Sequence, residues 1–203
     1  MKARINERIE VDGPAGRIEA VITDPGKGRR GYALIAHPHS LHGGTLDNKV
    51  VQTLAKAFHA LGFAAVRFNF RGVGGSDGVF DDGRGELEDL LAVERFANER
   101  FGNIERVLAG FSFGSFVAAS AAEQIDARYL VLIAPAVGRF PLGTVPKDTL
   151  VIHGEEDDVV LLSDVFDWAR PQQVPVVVFP GTGHFFHGVL IELQNLVTRF
   201  CSK

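Results

Sequence analysis

Residues 4–11 and 16–23 alternate apolar and polar positions, the period-two signature of strands with one buried face. Asp12-Gly13-Pro14-Ala15 between them has turn chemistry, so the pair predicts an antiparallel hairpin at one edge of a sheet. From residue 32 the pattern changes to short, predominantly apolar runs at 32–36, 64–70, 106–109, 129–134, 149–152 and 174–179. Runs of this kind suit strands buried on both faces of a parallel sheet. Helical segments separate them. Residues 49–61 follow Asp47 as the opening residue and stop at Gly62; residues 86–100 carry apolar side chains at 87, 90, 91, 93 and 96. A small-residue helical stretch covers 116–122, and two more helices are predicted at 162–170 and 185–203. Strands alternating with helices imply an α/β fold, with a mostly parallel sheet covered on both faces. Residues 137–147, with Gly138, Pro141, Gly143 and Pro146, form a loop too short to separate domains or to build a large cap. The chain is expected to be one domain over 1–203.

Composition narrows the partners. A chain of 203 residues with 46% hydrophobic content can bury a substantial core. The formal net charge of -4, with no basic run longer than Arg29-Arg30, argues against dependence on nucleic-acid phosphates or anionic membranes. One cysteine, Cys201, permits no intrachain disulfide and shows no sign of an oxidising compartment. The charged start lacks a secretory h-region, and no apolar run approaches the roughly 20 residues that span a bilayer. The expectation is a cytoplasmic protein whose partner is a small, weakly polar molecule, with its oligomeric state unspecified.

In a parallel sheet, ligands bind beyond the carboxyl ends of the strands, so the residues just after each apolar run carry the candidate chemistry. Counting the two hairpin strands first, the third strand is followed by His37-Pro38-His39-Ser40-Leu41-His42-Gly43-Gly44 and the fifth by Gly110-Phe111-Ser112-Phe113-Gly114. Glu155-Glu156-Asp157-Asp158 follows the seventh and Gly181-Thr182-Gly183-His184 the eighth. G-x-S-x-G between a strand and a helix reads as a sharp turn that presents a serine hydroxyl. A protonated hydroxyl is a poor nucleophile, and an imidazole with an ordinary pKa of ~6.5 can take its proton and return it. His184 is the candidate base. Asp157 is the candidate for orienting that imidazole, with Asp158 and Glu156 as alternatives in the same acidic run. His187, one helical turn on, competes with His184.

With the order Ser, acid, His in place, the sequence resembles the α/β-hydrolase superfamily, and within it the small cap-less bacterial hydrolases related to dienelactone hydrolases and serine esterases. The matching segments run from His37-Pro38-His39 through Gly44-Thr45 and Asp47-Asn48-Lys49 to Arg67-Phe68-Asn69-Phe70-Arg71-Gly72-Val73-Gly74, Gly110 to Gly114, and His184-Phe185-Phe186-His187-Gly188. The resemblance implies a serine hydrolase acting on small esters or thioesters through an acyl-enzyme, without cofactor or metal. It also implies an oxyanion hole made by the Phe113 amide and one amide from the loop after the third strand. Pro38 has no N–H, so His39 is the nearest donor there, with Ser40 behind it. Dienelactone hydrolases use a cysteine where Ser112 stands, so their substrate does not transfer.

Three other readings compete. The same fold can serve as a non-catalytic binding protein. His37, His39 and His42 invite a metallohydrolase reading, but Leu41 occupies the position before the third histidine where such enzymes need an aspartate. Gly72-Val73-Gly74-Gly75-Ser76-Asp77 resembles a dinucleotide loop, but Asp77 replaces its third glycine and would face the pyrophosphate. Arg71 is expected to anchor that loop. Phe111, Phe113, Phe185 and Phe186 flank the candidate residues and could wall an apolar pocket.

Overall fold

In the computed structural model, which describes residues 6–203, eight strands form one sheet in the order β1-β2-β4-β3-β5-β6-β7-β8. They are β1 (Asn6–Gly13), β2 (Gly16–Thr23), β3 (Gly31–Ala36), β4 (Phe63–Phe68), β5 (Glu105–Phe111), β6 (Tyr129–Ile133), β7 (Leu150–Gly154) and β8 (Val176–Phe179). The β1–β2 pair is antiparallel, as is β2–β4, while β3 to β8 are parallel. The expected hairpin is present; Arg4 and Ile5 lie outside the described residues.

Among the described residues five α-helices flank the sheet, four between strands and the last after β8: α1 (Lys49–Ala60), α2 (Arg84–Phe101), α3 (Phe113–Ala121), α4 (Leu162–Ala169) and α5 (Leu190–Cys201). Val107, Ala109 and Phe111 of β5 pack with Val51, Leu54 and Phe58 of α1 and Val197 of α5. Leu108 packs on the opposite face with Leu90 of α2 and Val117 of α3. Both faces of the strand are therefore buried, which explains why its sequence shows no polar alternation. Among the described residues no helix is long and apolar enough to cross a membrane.

Element ends differ from expectation where side chains cap or turns intervene. Asn48, not Asp47, caps α1, accepting from the amides of Val50 and Val51 at 2.9 and 3.4 Å. Helix α2 starts two residues before 86 because Glu86 turns back and accepts from the amides of Gly83 and Asp81 at 2.8 and 3.0 Å. Strand β8 begins at Val176, since Val174 bonds the end of α4 at Ala169. The last helix begins at Leu190 rather than 185. Phe186 at φ +54° and Gly188 at φ +82° break the chain into turns first, and that delay shapes the loop carrying His184.

The chain leaves β3 toward β4 on one side and returns to β5 on the other, so strand order reverses between β3 and β5. A reversal of this kind opens a crevice beyond the carboxyl ends of the two strands. Only residues 134–149 separate β6 from β7, so no large cap covers that edge.

Candidate active site

Ser112 is the residue between β5 and α3, at φ +55° and ψ -117°. A side chain held at positive φ costs about 1–3 kcal/mol, so the surroundings must impose it. They do so through the backbone. The Ser112 amide donates to Ile133 O at 2.8 Å and its carbonyl accepts from the Ser115 amide at 2.9 Å. Ser115 Oγ lies 2.8 and 3.0 Å from the carbonyls of Gly110 and Ile133. The flanking glycines are required by space rather than by φ. A Cβ on Gly110 would lie 2.1 Å from Gly114 O, and one on Gly114 would lie 2.3 Å from Ala36 O. The turn is thus wedged against β3 and β6, and the serine alone bears the strain.

His184 lies after β8 and places Nε2 3.0 Å from Ser112 Oγ and Nδ1 2.7 Å from Asp157 Oδ2. A carboxylate can only accept, so Nδ1 carries the proton and Nε2 accepts from the serine hydroxyl. All three side chains are buried. Asp157 is singled out from its acidic neighbours by burial: Glu155, Glu156 and Asp158 are exposed. Its Oδ1 accepts from the amides of Val159 and Val160 at 2.9 and 2.8 Å. Burial works against its charge, but the hydrogen bonds from His184 and the Val160 amide, together with the nearby imidazoles of His184 and His153, hold the carboxyl below its usual range. Phe111 sits 5.0 Å from the His184 ring and braces it. His187 is exposed and packs beside Phe185 instead.

One group in this constellation escaped the sequence reading. His153, at the end of β7, is fully buried, with Nε2 2.9 Å from Val160 O and 3.3 Å from Asp157 Oδ2. Bonding to a carbonyl fixes the proton on Nε2, leaving Nδ1 unprotonated and without a partner among the described residues. Burial lowers its pKa, so the ring stays neutral and presents an N–H dipole to Asp157. In sequence it directly follows the apolar run 149–152, four residues before the acid, where it passes as a core histidine.

The loop after β3 is organised differently. His37 Nδ1 donates to Pro38 O at 2.6 Å and Nε2 accepts from the Phe70 amide at 3.0 Å, leaving neither ring nitrogen for a metal. Burial drives its pKa down to about 4 against the opposing pull of the Pro38 carbonyl. The His39 ring packs against Phe80 at 4.6 Å and Phe113 at 5.2 Å, and its Nδ1 accepts from the Leu41 amide at 3.2 Å. The His39 amide donates to no acceptor among the described residues. Phe113, the first residue of α3, has no acceptor one turn back for its N–H. Two unspent amides therefore lie on the loops either side of the β3–β5 crevice.

A cleft of about 230 Å³ opens over Ser112 and His184. Phe113 and Phe185 line it as expected, together with Phe140, Ala136 and Val159. Phe111 and Phe186 do not; both are fully buried, and Phe186 packs against Phe179. Arg71 anchors its loop, with Nη2 and Nε on Asp89 at 2.9–3.2 Å. The glycine-rich segment after it is tied to β2 through Asp77 with Arg17 and Ser76 with the Glu19 amide, away from the cleft lining.

The family model described as serine aminopeptidase, S33, matches residues 38–147. An α/β serine hydrolase without lid from Xanthomonas campestris superimposes with a TM-score of 0.91 at 38% identity, over 96% of this chain and 93% of that one. An α/β serine hydrolase homologue from Coxiella burnetii gives a TM-score of 0.89 at 43% identity, over 98% and 99%. An uncharacterised Rickettsia prowazekii protein is 31% identical over 95% of this chain and 87% of its own length. Fold and family both point to hydrolase activity, and the chain belongs to the α/β-hydrolase superfamily.

Proposed function

We propose that this protein is a serine hydrolase that cleaves carboxylic esters or thioesters through an acyl-enzyme, with Ser112 as nucleophile, His184 as proton carrier and Asp157 as the carboxylate that orients it. The observation that carries this is the continuous relay of 3.0 Å from Ser112 Oγ to His184 Nε2 and 2.7 Å from His184 Nδ1 to Asp157. Ser112 Oγ adds to the substrate carbonyl while its proton passes to His184 Nε2. The resulting oxyanion is held by the amides of Phe113 and His39, donors of a type that contributes about 10²–10³ in rate each. Collapse breaks the ester bond, and the departing oxygen or sulfur takes the proton from His184. Water then gives its proton to His184 and attacks the acyl carbon, regenerating Ser112 and releasing the acid.

Ester cleavage is favoured over removal of amino-terminal residues by the cleft itself. A substrate ammonium needs a carboxylate beside it, and among the described residues no Asp or Glu lines the cleft. The test is turnover of p-nitrophenyl esters and thioesters of graded acyl length by wild type and Ser112→Ala. Wild type should turn over short and medium chains with burst kinetics, and the variant should not. Hydrolysis by Ser112→Ala at the wild-type rate would end the proposal.

A further inference from the structure

Arg139 projects from the loop between β6 and β7 and lines the cleft beside Ser112 and His184. It is the only side chain in that lining with a fixed charge; the remainder are histidines, Asn48, Ser112, prolyl, glycyl and apolar groups. An exposed arginine is ordinarily paired with a carboxylate or left in open solvent. The Arg139 amide donates to Ala136 O at 3.4 Å, but its guanidinium has neither a hydrogen bond nor an ion pair among the described residues, and it stands at a concave, largely apolar wall. Its opposing charges sit outside the cleft. Asp82 and Arg139 both act on the His39 ring, and Asp164 approaches Gly138 without pairing to the arginine.

The backbone that carries Arg139 is fixed on both sides. Val137 and Phe140 form a β-bridge around it. The Phe140 ring stacks on Phe116 at 5.2 Å and packs against Phe113 at 4.9 Å, and the latter residue supplies one of the two unspent amides. Further along the loop, Trp168 Nε1 donates to Gly143 O at 3.0 Å and the Val145 amide donates to Gln172 at 2.9 Å. A guanidinium on a braced loop, facing a cleft without acids in a chain of net charge -4, is placed to select by charge.

We infer that the substrate of this site carries an anionic group, a carboxylate or phosphate a few atoms from the scissile carbonyl, and that Arg139 is its specificity determinant. The inference rests on the proposed ester hydrolysis at Ser112. Arg139 binds the substrate's anion and takes no proton, so it alters which ester is held and leaves the chemistry at Ser112 untouched. Its planar fork can engage a carboxylate through two parallel N–H···O bonds, which a lysine cannot reproduce.

Two matched substrate series test this, each covering one half of the ester. Mono-p-nitrophenyl adipate against p-nitrophenyl hexanoate places the charge on the acyl side, and 4-acetoxybenzoate against phenyl acetate places it on the leaving side. In at least one series the anionic ester should be favoured by about tenfold or more in kcat/KM, mostly through KM, with the advantage shrinking in 0.5 M salt as the exposed charge is screened. Arg139→Gln should bring kcat/KM for the anionic ester down to that of its neutral partner, Arg139→Glu should invert the preference, and Arg139→Lys should restore only part. Turnover of neutral esters that depends on Ser112 but shows no anionic preference, or a preference that survives in Arg139→Gln, would overturn the inference and leave the ester hydrolysis standing. Absence of Ser112-dependent turnover for every ester would remove both.

Discussion

His37, at the end of β3, and His184, after β8, are both buried at the carboxyl edge of one sheet, and both follow apolar strands in the sequence. His37 gives one nitrogen to a carbonyl and the other to a main-chain amide. His184 gives one nitrogen to a carboxylate and keeps the other on a hydroxyl that borders a cleft. The first arrangement ends in backbone and has no proton to move. The second ends in groups whose charge can change during a reaction. What separates the structural imidazole from the one proposed to react is therefore the identity of its two partners, since burial is common to both.

That contrast can be broken most severely at the reactive side. Ser112→Ala or His184→Ala should lower kcat/KM for a p-nitrophenyl ester by about 10⁴-fold or more, because groups that act as a unit fail together. Calorimetry should find both variants still folded with similar melting temperatures. Asp157→Asn should cost about 10³–10⁴-fold by letting the imidazole adopt the wrong tautomer, again read as kcat/KM.

At the structural side the losses should fall on stability instead. His37→Ala strands a carbonyl and the Phe70 amide, so urea unfolding should show a loss of about 2–4 kcal/mol. The folded fraction should retain kcat within about tenfold. Acid should reveal the same residue. A free imidazole gains a proton near 6.5 whereas His37 in the fold resists until about 4. The unfolded chain therefore binds the proton first, and stability falls as pH drops from 6.5 toward 4. This destabilisation is absent above that window and complete below it. Between pH 7 and 5 it should amount to about 2 kcal/mol, measured as the shift in urea midpoint, and should vanish in a folded His37→Gln variant. His153, also lowered by burial, acts in the same direction. Asp157, held below the ordinary carboxylate range, loses its contribution only at more acidic pH.

The smallest expected effect is at His153. His153→Phe keeps the ring volume but removes the N–H dipole 3.3 Å from Asp157 Oδ2. The account predicts a drop of a few-fold in kcat/KM and an acid limb of the pH profile displaced to higher pH. An unchanged limb with equal stability would make His153 a packing residue only.

The sequence made the sheet, the hairpin and the order Ser112, Asp157, His184 legible because each rests on local pattern: apolar runs, turn residues, and reactive groups just beyond strand ends. Asp157 could not be separated from Glu156 and Asp158 by spacing alone. Burial and two main-chain amides at Oδ1 distinguish it, and both arise from the way the chain turns after β7. Phe140 and Arg139 carry no signal in the sequence because their loop reads as an ordinary Gly/Pro-rich connection; its placement depends on Phe116, Trp168 and Gln172, remote in sequence. Periodicity starts the last helix five residues too early because Phe185 and Phe186 fit a helical pattern. A positive φ at Phe186 is a tertiary demand that periodicity does not encode. The flanking glycines of Ser112 are legible as a motif, but the contacts they avoid, Gly110 with Gly114 O across the turn and Gly114 with Ala36 O of β3, are visible only in the folded chain.

The central claim is that Ser112, activated by His184, is a nucleophile toward electrophilic carbonyl and phosphonyl centres. Incubation with a fluorophosphonate followed by peptide mass spectrometry tests it directly. The account predicts a single stoichiometric adduct on Ser112, absent in Ser112→Ala and strongly slowed in His184→Ala. An unlabelled wild-type chain, or an adduct placed on a different residue, would contradict it.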